Sequence, residues 1–201
     1  MDGSTPQEID DAALATLFGD ARTANRFLDK PVGPELLKRL YEVMKWGPTS
    51  LNGLPGRFLF LRSEEARERL VGLVMDGNKD RVRSAPVVAI VAYDDEWFAH
   101  LPRMFPHAPD MKKMFENNAE GARDNAFRNG TLQGAYMIIA ARALGLDCGP
   151  MSGFDAGGVD KEFFAGTSYK ANFICAIDYA DPEHTFPRGP RFAFDEVCKI
   201  L

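Results

Sequence analysis

Histidine and cysteine are both scarce, with three of each in 201 residues. His100, His107 and His184 are scattered, with no H-E-x-x-H and no Cys/His spacing suited to zinc, so no metal site is expected. Cys148, Cys175 and Cys198 lie far apart and are odd in number. That pattern excludes a disulfide framework and fits a reducing, cytoplasmic compartment. Positive charge is not in excess either: 24 Lys and Arg against 29 Asp and Glu leave a net charge of −5. A nucleic-acid binder would need a basic face to meet phosphates, so no such partner is expected. Long apolar runs are missing. The longest, Pro86 to Tyr93, falls far short of the roughly 20 residues that cross a bilayer, and no membrane association is expected. The first residues, Met1 to Pro6, are polar and acidic where a signal peptide is basic and then apolar. No G-x-G-x-x-G follows a strand, and there is no G-x-x-x-x-G-K-[ST] and no G-x-S-x-G elbow. A chain without this equipment is either a binding module or an enzyme whose cofactor does the hard chemistry.

What is present is an ordinary globular composition. Hydrophobic residues make up 45%, charged residues 26% and aromatics 11%, enough for one sizeable core and against disorder. We read residues 1–201 as one domain without repeats. Ile9 to Phe18 reads as a short amphipathic helix. Gly33-Pro34 opens a second, with Leu36, Leu37, Leu40, Tyr41 and Met44 on one face, and Gly47-Pro48 stops it. Arg57 to Leu61 reads as a strand, and Ser63 with Glu64 and Glu65 caps a helix running to about Val74. Val87 to Ala92 is a β-branched run suited to a strand buried on both faces. Leu101 to Pro109, with three prolines, is expected to be irregular. Ala122 to Leu144 is the longest periodic stretch, a core helix closed by Gly145 that places Phe127, Leu132 and Tyr136 in the interior. A strand around Cys148, a loop from Gly149 to Asp155, a strand from Phe173 to Tyr179 and a last helix from Phe194 to Leu201 complete the pattern. Strands separated by helices with irregular connections point to an α+β or three-layer α/β sandwich.

Four polar loops carry the candidate chemistry. Arg22, Thr23 and Asn25 offer a cation, a hydroxyl and an amide within one turn, suited to a phosphate. Thr49, Ser50 and Asn52 follow Pro48 at a helix end. Pro150, Met151, Ser152 and Gly153 follow a strand and present backbone N–H groups. Arg188 and Arg191 stand in a Pro-rich segment near the C-terminus. Each loop alone also reads as ordinary turn chemistry, and each arginine as a solvated charge.

In order and spacing these residues resemble the flavin-dependent nitroreductase family over nearly the whole chain. Within it they resemble the malonic semialdehyde reductase subfamily of pyrimidine catabolism. The resemblance rests on Asp20-Ala21-Arg22-Thr23, on Met44-Lys45-Trp46-Gly47-Pro48-Thr49-Ser50-Leu51-Asn52, and on Leu101-Pro102 with Phe105-Pro106-His107. It rests further on Ala126-Phe127-Arg128-Asn129 and on Ala141-Arg142-Ala143-Leu144-Gly145-Leu146-Asp147-Cys148-Gly149-Pro150-Met151-Ser152-Gly153-Phe154-Asp155.

It implies a three-layer sandwich with a mixed or antiparallel sheet between helices. It also implies an intertwined homodimer with one FMN per protomer at the subunit interface, whose C-terminal segment wraps the partner. The family's phosphate-binding Arg-x-Ser-type motif falls on Arg22 and Thr23, and Asn25 stands where a basic residue reaches the pyrimidine side of the flavin. The Pro-Ser-x-x-Asn loop falls on Pro48, Thr49, Ser50 and Asn52. The loop that meets the reactive flavin nitrogen falls on Pro150, Met151, Ser152 and Gly153. The terminal clamp on the phosphate falls on Arg191, with Arg188 a second candidate. Leu54 and Gly189 depart from the glutamine and lysine common at those places. The activity implied is ping-pong hydride transfer from NADH or NADPH, through the flavin, to malonic semialdehyde, giving 3-hydroxypropionate. Arg57 and Arg128 are candidate partners for the aldehyde's carboxylate, and His107 a pocket residue. A broad nitroreductase or quinone reductase, a non-catalytic flavin-binding module and an α+β interaction protein are the alternatives.

Overall fold

The computed structural model describes residues 7–201. Four strands form one sheet: β1 (Gly56–Leu61), β2 (Val88–Asp94), β3 (Asp147–Met151) and β4 (Tyr169–Asp178). Their order is β1-β2-β4-β3 and every pairing is antiparallel, which resolves the expected mixed or antiparallel sheet to the latter.

Strand β2 shows how the sequence dictates the layers. Side chains alternate across a strand, so Val88, Ile90 and Ala92 join one buried cluster while Val87, Ala89 and Val91 join the other. In β4, Ile174 and Ala176 face the first cluster and Cys175 and Ile177 the second. The first face is covered by α3 (Glu64–Val71), α4 (Asp76–Ser84) and α8 (Ala156–Phe163). The second is covered by α2 (Pro34–Met44) and the 25-residue α7 (Ala119–Ala143). Shorter α-helices are α1 (Asp11–Leu14), α5 (Leu101–Met104), α6 (Met111–Glu116) and α9 (Phe194–Val197). The result is the expected three-layer α+β sandwich.

Local rules set the helix ends. Pro34 occupies the first turn of α2, where its missing N–H has no intrahelical role. The Ser63 Oγ accepts the Ala66 N–H at 3.1 Å, with Glu64 and Glu65 in the first turn of α3. Gly145, at φ 76°, ends α7 in the left-handed region that favours glycine.

Several expectations are corrected. Leu101–Met104 is helical, because Pro102 sits in its first turn where proline is tolerated. The expected N-terminal helix is α-helical only to Leu14 and continues as a π-helix over Ala15–Gly19. The last helix stops at Val197. Gly149, Pro150 and Met151 belong to β3, not to a loop. Phe127, Leu132 and Tyr136 are exposed on the outer side of α7, while Ala126, Met137, Ala140 and Ala141 face inward. Helices α4 and α8 have weak patterns: α4 buries only Val82, and α8 carries Gly157 and Gly158.

Asp178, at the end of β4, has no solvent-exposed surface, and its Oδ2 has no hydrogen-bond partner. Burial pushes its pKa up to about 6, partly offset by the Tyr179 N–H and Lys30. A carboxyl whose folded pKa lies above its unfolded value contributes stability below the unfolded pKa and loses it as pH rises through the folded one. We therefore expect stability to fall between about pH 4 and pH 6 by about 2 kcal/mol from this group. In urea melts across that range, Asp178→Asn flattens the pH dependence and gains about 1 kcal/mol over the parent at pH 7.5.

Candidate cofactor-binding site

Arg22, Thr23, Asn25, Arg188 and Arg191 line one cavity of about 460 Å³, together with Phe18, Ala21, Arg142, Phe186, Pro187 and Gly189. Residues far apart in sequence are thus brought together. No Asp or Glu lines this cavity, so four guanidinium groups leave it strongly positive. Their donors are anchored on main-chain carbonyls. Arg22 Nη1 donates to Gly19, Asp20 and Ala21, at 3.1, 3.0 and 3.0 Å. Arg188 Nη2 donates to Phe18, Gly19 and Ala21, at 3.0, 2.5 and 3.2 Å. Arg191 Nη1 reaches Gly189 and Pro190, and Arg142 Nη1 reaches Leu17 at 2.9 Å. The carbonyl-rich end of the N-terminal helix is where the C-terminal segment docks.

The segment bearing Thr23 and Asn25 is fixed to the sheet edge. The Ala24 N–H donates to the Cys148 carbonyl at 3.0 Å, and Thr23 forms an isolated parallel bridge with Cys148. The approach is so close that a Cβ on Gly149 would lie 2.6 Å from the Ala24 oxygen and 2.9 Å from Arg81 Cδ. Arg81, from α4, donates through Nη2 to Asn25 Oδ1, while its Nε is buried without a partner. Burial also pulls its pKa down. On the next turn toward the N-terminus, Asn78 Nδ2 donates to the Gly153 carbonyl at 3.0 Å. Arg81 and Asn78 carry no spacing signal in the sequence, since what distinguishes them is long-range contact. Arg142 lies within the run Ala141 to Asp155 that carries the resemblance, without a role of its own there.

Pro150, Met151 and Ser152 line a second cavity of about 310 Å³ with Thr131, Ala135, Ile138 and Phe173. Gly153 is pinned by Asn78 and by the Met75 N–H, which donates to its carbonyl at 2.9 Å. Among the described residues, the N–H groups of Ser152 and Gly153 have no intrachain acceptor.

The loop from Pro48 to Asn52 stands apart and lines neither cavity. Asn129 Oδ1, on α7, accepts the Ser50 N–H at 2.8 Å, and Thr49 Oγ1 accepts the Leu54 N–H at 3.1 Å. Asn52 Nδ2 donates to the Met104 carbonyl at 2.9 Å. Leu51, Asn52 and Leu54 all adopt positive φ, at 54°, 49° and 42°, so this loop holds backbone strain. His107 follows α5 and its ring leans on that of Phe105, with centroids 3.8 Å apart and planes tilted by 52°.

The two candidate substrate arginines differ. Arg57 Nη2 is paired with the buried Asp94 carboxylate at 2.6 Å, and its Nη1 donates to the Leu54 and Gly56 carbonyls. Arg128, exposed on α7, has no salt-bridge partner among the described residues and borders a groove with Tyr93, Arg123, Asp124, Phe127 and Thr131.

Comparison with known proteins decides what this arrangement is. Residues 20–177 match the nitroreductase family. The chain belongs to that family. A Ralstonia pickettii protein with the provisional name NADH dehydrogenase/NAD(P)H nitroreductase HadB is 53% identical over 190 residues, covering 94% of this chain and 97% of its own length. A Stenotrophomonas maltophilia (strain K279a) protein with a name of the same kind is 53% identical over 192 residues, covering 96% and 97%. The fold is shared with a solved nitroreductase from Exiguobacterium sibiricum in complex with FMN, at a TM-score of 0.85 and 21% identity, over 98% of this chain and all of that one. Nitroreductases use FMN with NAD(P)H, the cofactor pair expected from the sequence. Among the described residues there is no metal-ligating cluster, and no helix is long and apolar enough to cross a membrane.

The residues present fit such a cofactor. The four-arginine cavity suits a phosphate dianion, and Arg142, one of its lining residues, has a buried Nε without a hydrogen-bond partner. The close approach at Gly149 supplies a stability test. Gly149→Ala forces a clash with main chain that cannot yield, and is expected to cost about 1–3 kcal/mol in urea unfolding. By contrast Gly33→Ala, whose Cβ meets nothing within 4 Å, is expected to be near neutral.

Proposed function

We propose that residues 1–201 act as one FMN-binding domain of an NAD(P)H oxidoreductase that works as a homodimer. The observation that carries this reading is the convergence of Arg22, Thr23, Arg188 and Arg191 on one cavity without a carboxylate. In this reading those four residues hold the FMN phosphate, with Arg142 adding to the positive field. The pyrimidine edge of the flavin lies toward Asn25 and Arg81, and the free N–H groups of Ser152 and Gly153 serve the reactive edge. When bound, FMN would supply hydride transfer between NADH or NADPH and an acceptor in two half-reactions. The protein's part is to orient the rings and stabilise charge, and it supplies no nucleophile.

Two features support the dimer. The Pro48–Asn52 loop does not reach the phosphate cavity of its own chain, so a partner's loop would complete each site. Trp46, 80% exposed, lies beside Gly47, which packs against the ring of Tyr136; with Leu132 and Phe127 these form an apolar face. Phe192, 76% exposed, belongs to a C-terminal segment that also exposes Phe186, Phe194, Val197 and Ile200. Apolar surface on this scale marks an interface.

The acceptor we propose is malonic semialdehyde, with Arg128 as the carboxylate partner because Arg57 is already paired with Asp94. The names of the relatives favour a second reading, a broader nitro- or quinone-reducing activity.

The purified protein is expected to be yellow and to bleach with NADH or NADPH under anaerobic conditions. A colourless preparation that also fails to take up FMN would sink the reading. Leu132→Arg is expected to convert the dimer to monomer by light scattering and to strip FMN with it. Arg128→Ala is expected to raise KM for the semialdehyde at least tenfold while leaving turnover of a neutral quinone intact. Equal effects on both acceptors would favour the broader activity.

A further inference from the structure

A third cluster of buried side chains stands apart from the two that flank the sheet. Trp97, Leu101, Phe115, Ala122 and Ala126 form it, with Leu51 and Phe105 packed against it. It joins the first turns of α7 to the segment from Trp97 to Glu116 and to the loop before β1. Leu51 reaches this cluster from one of the positive-φ positions, and Asn52 and Leu54 follow it in the same region of backbone space. Three non-glycine residues at positive φ within four positions persist only where their surroundings hold them.

The hold comes from two buried amides on α7. Asn129 and Gln133 are 4% and 7% exposed and lie four residues apart, on one side of the helix. Asn129 Oδ1 accepts the Ser50 N–H at 2.8 Å, while its Nδ2 donates to the carbonyl and the Oδ1 of Asn125 at 2.9 and 3.0 Å. Asn125 thereby turns the Asn129 amide so that its oxygen faces the loop. With both polar groups met, burial of this amide costs little. Gln133 Oε1 accepts the Gly56 N–H at 2.6 Å, and a Cβ on Gly56 would lie 2.8 Å from that oxygen. Between these two anchors, a Cβ on Gly53 would meet the Trp97 ring at 2.5 Å. The chain of contacts continues outward, because Asn52 Nδ2 donates to the Met104 carbonyl at the end of α5.

The geometry points to Asn129 as a positioning residue, with Gln133 beside it: by clamping the strained loop it fixes Ser50, Asn52 and the end of α5 as one unit. The inference rests on the reading above, in which a partner's Pro48–Asn52 loop completes each cofactor site, and deepens it. Both amides act through the main chain of the loop and its neighbour Gly56. Without the Asn129 oxygen, the Ser50 N–H loses its acceptor and the positive-φ residues relax toward ordinary backbone. Asn52 then leaves Met104, and the loop offers its hydroxyls and amide in many arrangements where the clamped loop offers one. Ordering it again on binding costs affinity.

The test uses the full-length protein, with FMN affinity read by fluorescence quenching and local opening read by amide hydrogen exchange. Asn129→Leu is expected to speed exchange at 50–54 and 101–105 at least tenfold while β2 and β4 stay as protected as in the parent. In the same variant FMN binding is expected to weaken at least tenfold. Asn129→Asp keeps an oxygen for the Ser50 N–H and is expected to bind FMN within about threefold of the parent. Gln133→Met, close in volume, guards against loss of fold in Asn129→Leu and is expected to move both readouts the same way by a few-fold. Uniformly faster exchange in loop and sheet would overturn the inference, because Asn129 would then serve overall stability alone. So would an opened loop with FMN affinity unchanged, or an Asn129→Asp variant that binds as weakly as Asn129→Leu. Failure of the parent protein to take up FMN would instead remove the cofactor reading and the inference that rests on it.

Discussion

The hydrogen bond from the Ala24 N–H to the Cys148 carbonyl, 3.0 Å long, couples the site to the fold. Strand β3 is the edge of the sheet, and an unpaired edge carbonyl needs a partner. The polar segment from Arg22 to Asn25 supplies it, and in doing so is fixed relative to every strand. The C-terminal segment depends on the same contact one step removed, because Arg188 grips the carbonyls of Phe18, Gly19 and Ala21 just upstream. Gly149 is the permissive element, since any side chain there would push the two backbones apart.

The layers were legible in the sequence because their signals are local. The run from Val87 to Ala92 reads best as a strand buried on both faces, and the two clusters divide its residues by parity. Helix α7 was legible from length and period, but not which side of it faces inward. Phe127, Leu132 and Tyr136 are as apolar as the core positions, and a helix apolar all round looks the same whether water or another subunit covers its second face. Helix α4 was not legible at all. Its ordering comes from Arg81 and Asn78 reaching across to Asn25 and Gly153, contacts that leave no periodic trace. Strand β3 was legible around Cys148, but its continuation to Met151 hid behind Gly149 and Pro150, residues that usually end strands and are tolerated at an edge.

The site divides along the same line. Arg22, Thr23, Arg188 and Arg191 were found through resemblance in order and spacing, and they do converge. Arg81 was not, and Arg142 stands in the run Ala141 to Asp155 without a role assigned to it. They are two among 24 Lys and Arg, and burial, not identity, separates them from the surface arginines. Arg57 shows the converse: a cation in a plausible place whose charge is already matched by Asp94.

The distribution of charge and apolar surface also links cofactor to assembly. Four guanidiniums crowd one cavity with only carbonyl dipoles between them, so their mutual repulsion opposes docking of the C-terminal segment. A phosphate dianion placed among them removes that repulsion. The same segment carries Phe186, Phe192, Phe194, Val197 and Ile200 in contact with water, at a cost of roughly 25 cal/mol per Å² of apolar surface. On the FMN reading, the anion that settles Arg188 and Arg191 therefore also steadies the strap that would cover a partner. Binding of cofactor and burial of that apolar surface should then reinforce one another, each favouring the docked state of the other.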